Sequence, residues 1–255
     1  LPGSVSRASV SERTGRSVMR GILIRVSQGY GVIARLRNLT IAWVFCVAAS
    51  VAAAAAQPVT VVALGDSLTA GYGLADPADG LVPQLQAWLT AHGTDVVIEN
   101  AGVSGDTTAG GLARLDWALG PQAQALIVTL GGNDMLRGLP PDEVRANLAA
   151  ILTGAEARGL PVLLVGMKAP GNFGPDYKAE FDAIYPELAA AHADLLFPDF
   201  FAGFVAAGAD PGDPASYARL MQADGIHPNP DGVKAIVAAL GPSVQELVAK
   251  IAPAP

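Results

Sequence analysis

Five short apolar runs, with helical patterns between them, limit what this chain can fold into more than any other feature. They are VTVVAL (59–64), DVVIEN (95–100), ALIVTL (125–130), PVLLVGM (161–167) and ADLLFPDF (193–200). Each sets apolar residues nearly in a row, β-branched in part, as strands buried on both faces of a parallel sheet require. Amphipathic segments fill the intervals. LVPQLQAWLTAHG (81–93) and TTAGGLARLDWALG (107–120) each close on glycine, and PPDEVRANLAAILTGAEARG (140–159) opens on prolines and acids and ends at Gly159, as helix capping and the helix dipole favour. A last helix is expected over 229–251, with Pro230 in its first turn. Repeated strand–helix alternation predicts one α/β domain with a parallel sheet and helices on both faces. The connection 168–192 starts irregularly and becomes helical, and a connection of that length at a strand end often serves function.

The first 56 residues do not fit that alternation. They carry seven arginines against one acid, Glu12, and close on TIAWVFCVAASVAAAAA, an uncharged run of 17 residues. Basic, then apolar, then small residues is the order of a secretory signal peptide, and the alanines before Gln57 form an A-x-A type cleavage site. A retained anchor is the alternative, but a spanning helix needs roughly 20 apolar residues and this run is short and alanine-rich. The expected organisation is therefore an extension with signal peptide over 1–56, cut after Ala56, and one globular domain over 57–255, exported to the periplasm or secreted. Of 16 Lys and Arg and 23 Asp and Glu, the domain keeps 9 and 22, a net charge near −13. That balance argues against nucleic acid as a partner. The single cysteine, Cys46, lies in the apolar run, so the domain has neither disulfides, nor thiol chemistry, nor a cysteine-based metal site. No stable membrane insertion is expected once the signal is cut, and a monomer is expected.

In open parallel α/β sheets, ligands bind beyond the carboxyl ends of the strands. The segments found there are GDSLTAGYG (65–73), NAGVSGDT (100–107) and GGND (131–134), with DGIHPN (224–229) before the last helix. The domain has four serines, Ser67, Ser104, Ser216 and Ser243. Ser216 and Ser243 read as helix residues. Ser67 and Ser104 both follow strands, and Ser67 stands where a helix begins, so its backbone N–H is free and the helix dipole favours a developing anion. There is no G-x-S-x-G, which excludes a nucleophile elbow. Of three histidines, His92 and His192 fall near helix ends, as histidine commonly does. His227 sits in a turn with Asp224 three residues earlier, a spacing that lets the carboxylate reach Nδ1 and leaves Nε2 for a serine. Alone, that pair also reads as a capping-loop contact. Oxyanion donors could be the Ser67 N–H, the Gly105 N–H and the Asn133 amide, although GGND alone also reads as a glycine-rich turn with an Asx cap.

GDSLTAGYG, NAGVSGDTTAGGLARL, LGGND and DGIHPN resemble, in order, the four blocks of the SGNH, or GDSL, hydrolases. SGDTTAGGLARL, LGGNDMLRGLPP and AIYPEL are most similar to the bacterial periplasmic acyl-CoA thioesterase I, lysophospholipase and arylesterase group within it. The resemblance implies a three-layer α/β/α sandwich with a five-stranded parallel, flavodoxin-like sheet. It implies Ser67 as nucleophile, Asp224 and His227 as its triad partners, and Ser67, Gly105 and Asn133 as the oxyanion hole. It implies no metal or organic cofactor. The expected activity is a serine esterase on carboxylic esters or thioesters of small acyl substrates, lysophospholipids among them. The alternatives are a carbohydrate acetylesterase on the same scaffold and a catalytically silent secreted binding protein. Asp66 and Asp134 are expected to fix the loops through backbone hydrogen bonds. The loop KAPGNFGPDY, with Ala169, Gly171 and Phe173, is similar in position to that group's mobile substrate loop.

Overall fold

The structure is a computed structural model that describes residues 59–210 and 213–251. The expected signal peptide and its cut after Ala56 lie outside the described residues. Strands β1 (Val59–Gly65), β2 (Val96–Gly102), β3 (Ala125–Thr129), β4 (Val162–Val165) and β5 (Leu195–Phe197) form one sheet in the order β2-β1-β3-β4-β5. Every pairing is parallel. All five fall on the apolar runs read from the sequence.

Burial follows position in the sheet. β1, β3 and β4 are central, and Val61, Val62, Leu64, Leu126, Val128, Leu163 and Leu164 are almost wholly buried. The two edges depart from the expectation of burial on both faces. In β2, Val96 and Ile98 are buried whereas Val97 and Glu99 are exposed. In β5 only Phe197 is buried. An edge strand has a neighbour on one side only, so helices cover it less completely.

The helices are α1 (Ser67–Ala70), α2 (Leu81–Ala91), α3 (Thr108–Ala113), α4 (Leu115–Ala118), α5 (Gly132–Leu136), α6 (Pro141–Glu156), α7 (Pro175–His192), α8 (Ala202–Ala206), α9 (Pro214–Ala218) and α10 (Pro230–Ala249). α10 packs on α2 and α8 in one layer, and α6 packs on α3 and α7 in the other. The result is the three-layer α/β/α sandwich. The single helix expected over 107–120 is broken at Arg114. Its guanidinium is drawn to the Asp106 carboxylate at 2.6 Å and to the Gly65 carbonyl at 2.8 Å. α10 begins as expected, with Pro230 in its first turn and the Asn229 side chain accepting from the Gly232 N–H. Its Val233, Ile236, Leu240, Val244 and Leu247 lie in the core.

The sheet order places a topological switch point between β1 and β3, because the chain leaves β1 for β2 and then returns past β1 to β3. The crevice at the carboxyl ends of those two strands is where a doubly wound sheet takes its ligand.

Candidate active site

Ser67 stands at the first position of α1, directly beyond β1. A backbone N–H there has no intrahelical acceptor. The turn is held by Asp66, whose carboxylate caps α1 by accepting from the Leu68 N–H at 3.0 Å. Beyond β3, Gly131 and α5 carry Asn133 to the same crevice, and its amide donates to the other Asp66 oxygen at 3.2 Å. One Asp66 carboxylate thus orients both the serine turn and the Asn133 amide. Its burial raises its pKa to about 6, against the lowering effects of the Leu68 N–H, the Asn133 amide and His227.

The histidine comes from the far end of the chain, on a small hairpin. Gln222 N–H donates to the His227 carbonyl at 2.7 Å, and Asn229 N–H to the Leu220 carbonyl at 3.0 Å. Asp224 shapes the tip. One of its oxygens accepts from the Ile226 and His227 N–H groups at 2.9 and 3.0 Å, and the other bonds His227 Nδ1 at 2.7 Å. The imidazole hydrogen bond, then the two backbone donors, pull the Asp224 carboxyl down to about 2. His227 Nε2 lies 2.9 Å from Ser67 Oγ. A continuous chain of contacts therefore runs from Ser67 through His227 to Asp224, across residues read separately in the sequence.

Gly105 occupies the loop after β2 at φ 87°, a conformation that glycine tolerates. Its carbonyl accepts from the Arg137 guanidinium at 2.9 Å. The same loop is tied to α5 through Asp134, which is 1% exposed. Asp134 accepts from the Thr108 N–H with both oxygens and from the Thr108 hydroxyl at 2.6 Å. Asp66 and Asp134 thus hold loops, in the role expected of them.

Ser67, Gly105, Asn133, Asp224 and His227 all line one cavity of about 490 Å³. Its remaining wall is largely apolar, from Leu68, Met135, Leu136, Met167, Phe201, Met221 and Ile226. The long loop after β4 supplies Met167, whereas Ala169, Gly171 and Phe173 do not line the cavity. Phe173 instead turns its ring toward Tyr177, with centroids 5.1 Å apart. The other histidines are occupied elsewhere. His92 stacks on Trp88 at 3.7 Å, and His192 lies 3.6 Å from Glu156. Ser216 Oγ is bonded within its own loop, to Asp210 and Asp213.

Sequence reasoning missed Gln222 and Arg114. Arg114 braces the carbonyl of Gly65, just before the serine turn. Both act through partners far away in the sequence, so no local pattern marks them.

A serine hydroxyl on an imidazole that is itself held by a carboxylate, at the switch point of a parallel sheet, defines a hydrolase of the acyl-transfer type. The GDSL-like lipase/acylhydrolase family model matches residues 63–235, and the chain belongs to that family of ester hydrolases. Its relatives include the esterase TesA of Pseudomonas aeruginosa, 43% identical over 176 residues, covering 69% of this chain and 81% of the relative. They also include the thioesterase 1/protease 1/lysophospholipase L1 of Escherichia coli, 37% identical and covering 81% and 92%. Among solved structures, the SGNH-hydrolase family esterase AlinE4 superposes with a TM-score of 0.59 at 44% identity, covering 78% of this chain and 98% of that one.

Proposed function

We propose that the chain is a serine esterase that works through an acyl-enzyme, with Ser67 as nucleophile, His227 as general base and Asp224 as the carboxylate that orients it. The observation that carries this reading is the contact chain Ser67 Oγ–His227 Nε2 at 2.9 Å and His227 Nδ1–Asp224 at 2.7 Å, opening on an apolar cavity. His227 takes the Ser67 proton as Oγ attacks the acyl carbonyl. Asp224 holds the imidazole tautomer and stabilises the imidazolium. The N–H groups of Ser67 and Gly105 and the Asn133 amide receive the oxyanion. His227 then protonates the leaving alcohol or thiol, and afterwards activates the water that releases the acid.

The apolar wall supports acyl chains longer than acetyl and speaks against acetylated sugars, whose hydroxyls would find few partners there. The names of the relatives support esters, thioesters and lysophospholipids as the substrate class. We read residues 1–56 as an export signal and 57–255 as the working domain, a monomer free of the membrane after cleavage. Export ranks esters and lysophospholipids above acyl-CoA.

Ser67→Ala should cut hydrolysis of p-nitrophenyl butyrate by at least about a thousandfold. Wild-type rates in that variant would refute the assignment. A series of acyl esters and acyl-CoA thioesters reads the chain-length preference. Fractionation with N-terminal sequencing should find a product that begins at Gln57, and an intact N-terminus in the cytosol would overturn the export reading.

A further inference from the structure

We propose that Gln222 is a positioning residue that clamps the histidine hairpin to the serine turn and so sets the Ser67–His227 alignment. The inference rests on the reading of Ser67 and His227 as the reacting pair.

The two residues are 160 positions apart, on segments that share no strand pairing. Ser67 is held from behind by Asp66 and Arg114. The tip that carries His227 is an exposed hairpin whose internal bonds fix its shape and leave open its distance from α1. Gln222 spans that gap. Its Nε2 donates to the Tyr72 carbonyl at 2.9 Å, five residues beyond Ser67, and to the Pro228 carbonyl at 3.0 Å, one residue beyond His227. Its backbone N–H donates to the His227 carbonyl itself at 2.7 Å. Both side-chain partners are carbonyls, so only the amide nitrogen satisfies them, and the orientation of the amide follows from chemistry. Apart from the Ser67–His227 bond, the Tyr72–Gln222 bond is the one hydrogen bond that joins residues 65–74 to 219–229 among the described residues. A ring contact between Tyr72 and His227, with centroids 4.8 Å apart, lies alongside it.

Gly73 completes the clamp. Its lack of a side chain leaves room for Gln222 Oε1, and it stands at φ 75°, a conformation that glycine tolerates. Gln222 is absent from the cavity lining, and it meets the lining residues Tyr72 and His227 only at their backbone carbonyls. Its loss should therefore act on catalysis with substrate binding unchanged. An error of about 1 Å at reacting atoms costs up to about a hundredfold in rate.

The test is Gln222→Met, similar in shape and without donors. The expected result is a kcat about 10- to 100-fold lower with KM within about twofold of wild type. Inactivation by diethyl p-nitrophenyl phosphate should slow by the same factor. In that reaction the Ser67 Oγ–P bond forms, the P–O bond to p-nitrophenolate breaks and His227 takes the serine proton. It therefore reads alignment without an acyl pocket. A Gln222→Met enzyme with wild-type kcat, or with a loss confined to KM, overturns the inference. Gln222→Glu provides a second route if the first variant fails to fold. It keeps the shape but sets a carboxylate oxygen against the Tyr72 and Pro228 carbonyls, so kcat should fall at least as far as in Gln222→Met, and a wild-type kcat in Gln222→Glu overturns the inference. Ser67→Ala separates the two readings. If that variant is inactive while Gln222→Met retains full activity, the clamp fails and the triad stands.

Discussion

Replacing Asp66 by Asn should change how stability depends on pH, and the structure sets both sign and size. The carboxyl is 1% exposed, and its burial raises it from 3.8 to about 6 in the folded protein. The unfolded chain releases this proton near 3.8, the folded protein only near 6. Between those values the native state binds more protons than the unfolded state, so stability falls as pH rises from about 4 to about 6 and then levels off. A gap of roughly two pH units, at about 1.4 kcal/mol each, makes the loss about 3 kcal/mol. An asparagine is neutral throughout and lacks this dependence. It also perturbs the bonds to Leu68 and Asn133, which adds a cost that does not vary with pH. The stability of Asp66→Asn minus that of the native protein should therefore rise by about 2 to 3 kcal/mol between pH 4 and pH 7. Urea unfolding of both proteins at pH 4, 5, 6 and 7 measures that difference, and the other titrating groups cancel to first order. A flat difference curve, or one that declines with pH, would refute the account of Asp66 as a carboxyl disfavoured by burial.

Two further predictions follow from the loops around it. Asp134→Asn leaves one oxygen for the three contacts now made to Thr108 and should lower stability by about 3 kcal/mol, or about 6 to 12 °C in Tm by calorimetry. Asn133→Ala removes one of the proposed oxyanion donors and should lower kcat by ~10²–10³ on p-nitrophenyl butyrate, with an unchanged circular dichroism spectrum.

How much of this was legible in the sequence depended on the range of the interaction. β1, β3 and β4 are central strands, so both faces must be apolar and their runs stand out. β2 carries the edge signature in its own letters: Val96 and Ile98 face inward while Val97 and Glu99 face out. Its short apolar run hides that alternation and resembles a strand buried on both faces. The Asp224–His227 pair was legible because a turn brings i and i+3 together without help from the fold. Ser67, Gly105 and Asn133 were legible by position, since a parallel sheet gathers whatever follows its strands at one end.

What escaped reading are bonds between those loops. Asn133 reaches Asp66 across 67 positions, Asp134 reaches Thr108 across 26, and Gln222 reaches Tyr72 across 150. Asp66 and Asp134 could be assigned to loop fixing in general, yet their distant partners follow from the sheet order alone. This division has a physical basis. The apolar runs bury the core and bring the strand ends into one crevice, but hydrophobic burial is non-directional and leaves placement there coarse. Hydrogen bonds fail beyond a few tenths of an ångström. Reaction requires the finer tolerance, and on the proposed assignment it falls to the bonds of Asp66, Asp134 and Gln222. Substitutions at Gln222 should therefore separate activity from stability, whereas substitutions at Val62 or Leu164, both fully buried in the central strands, should lower the two together.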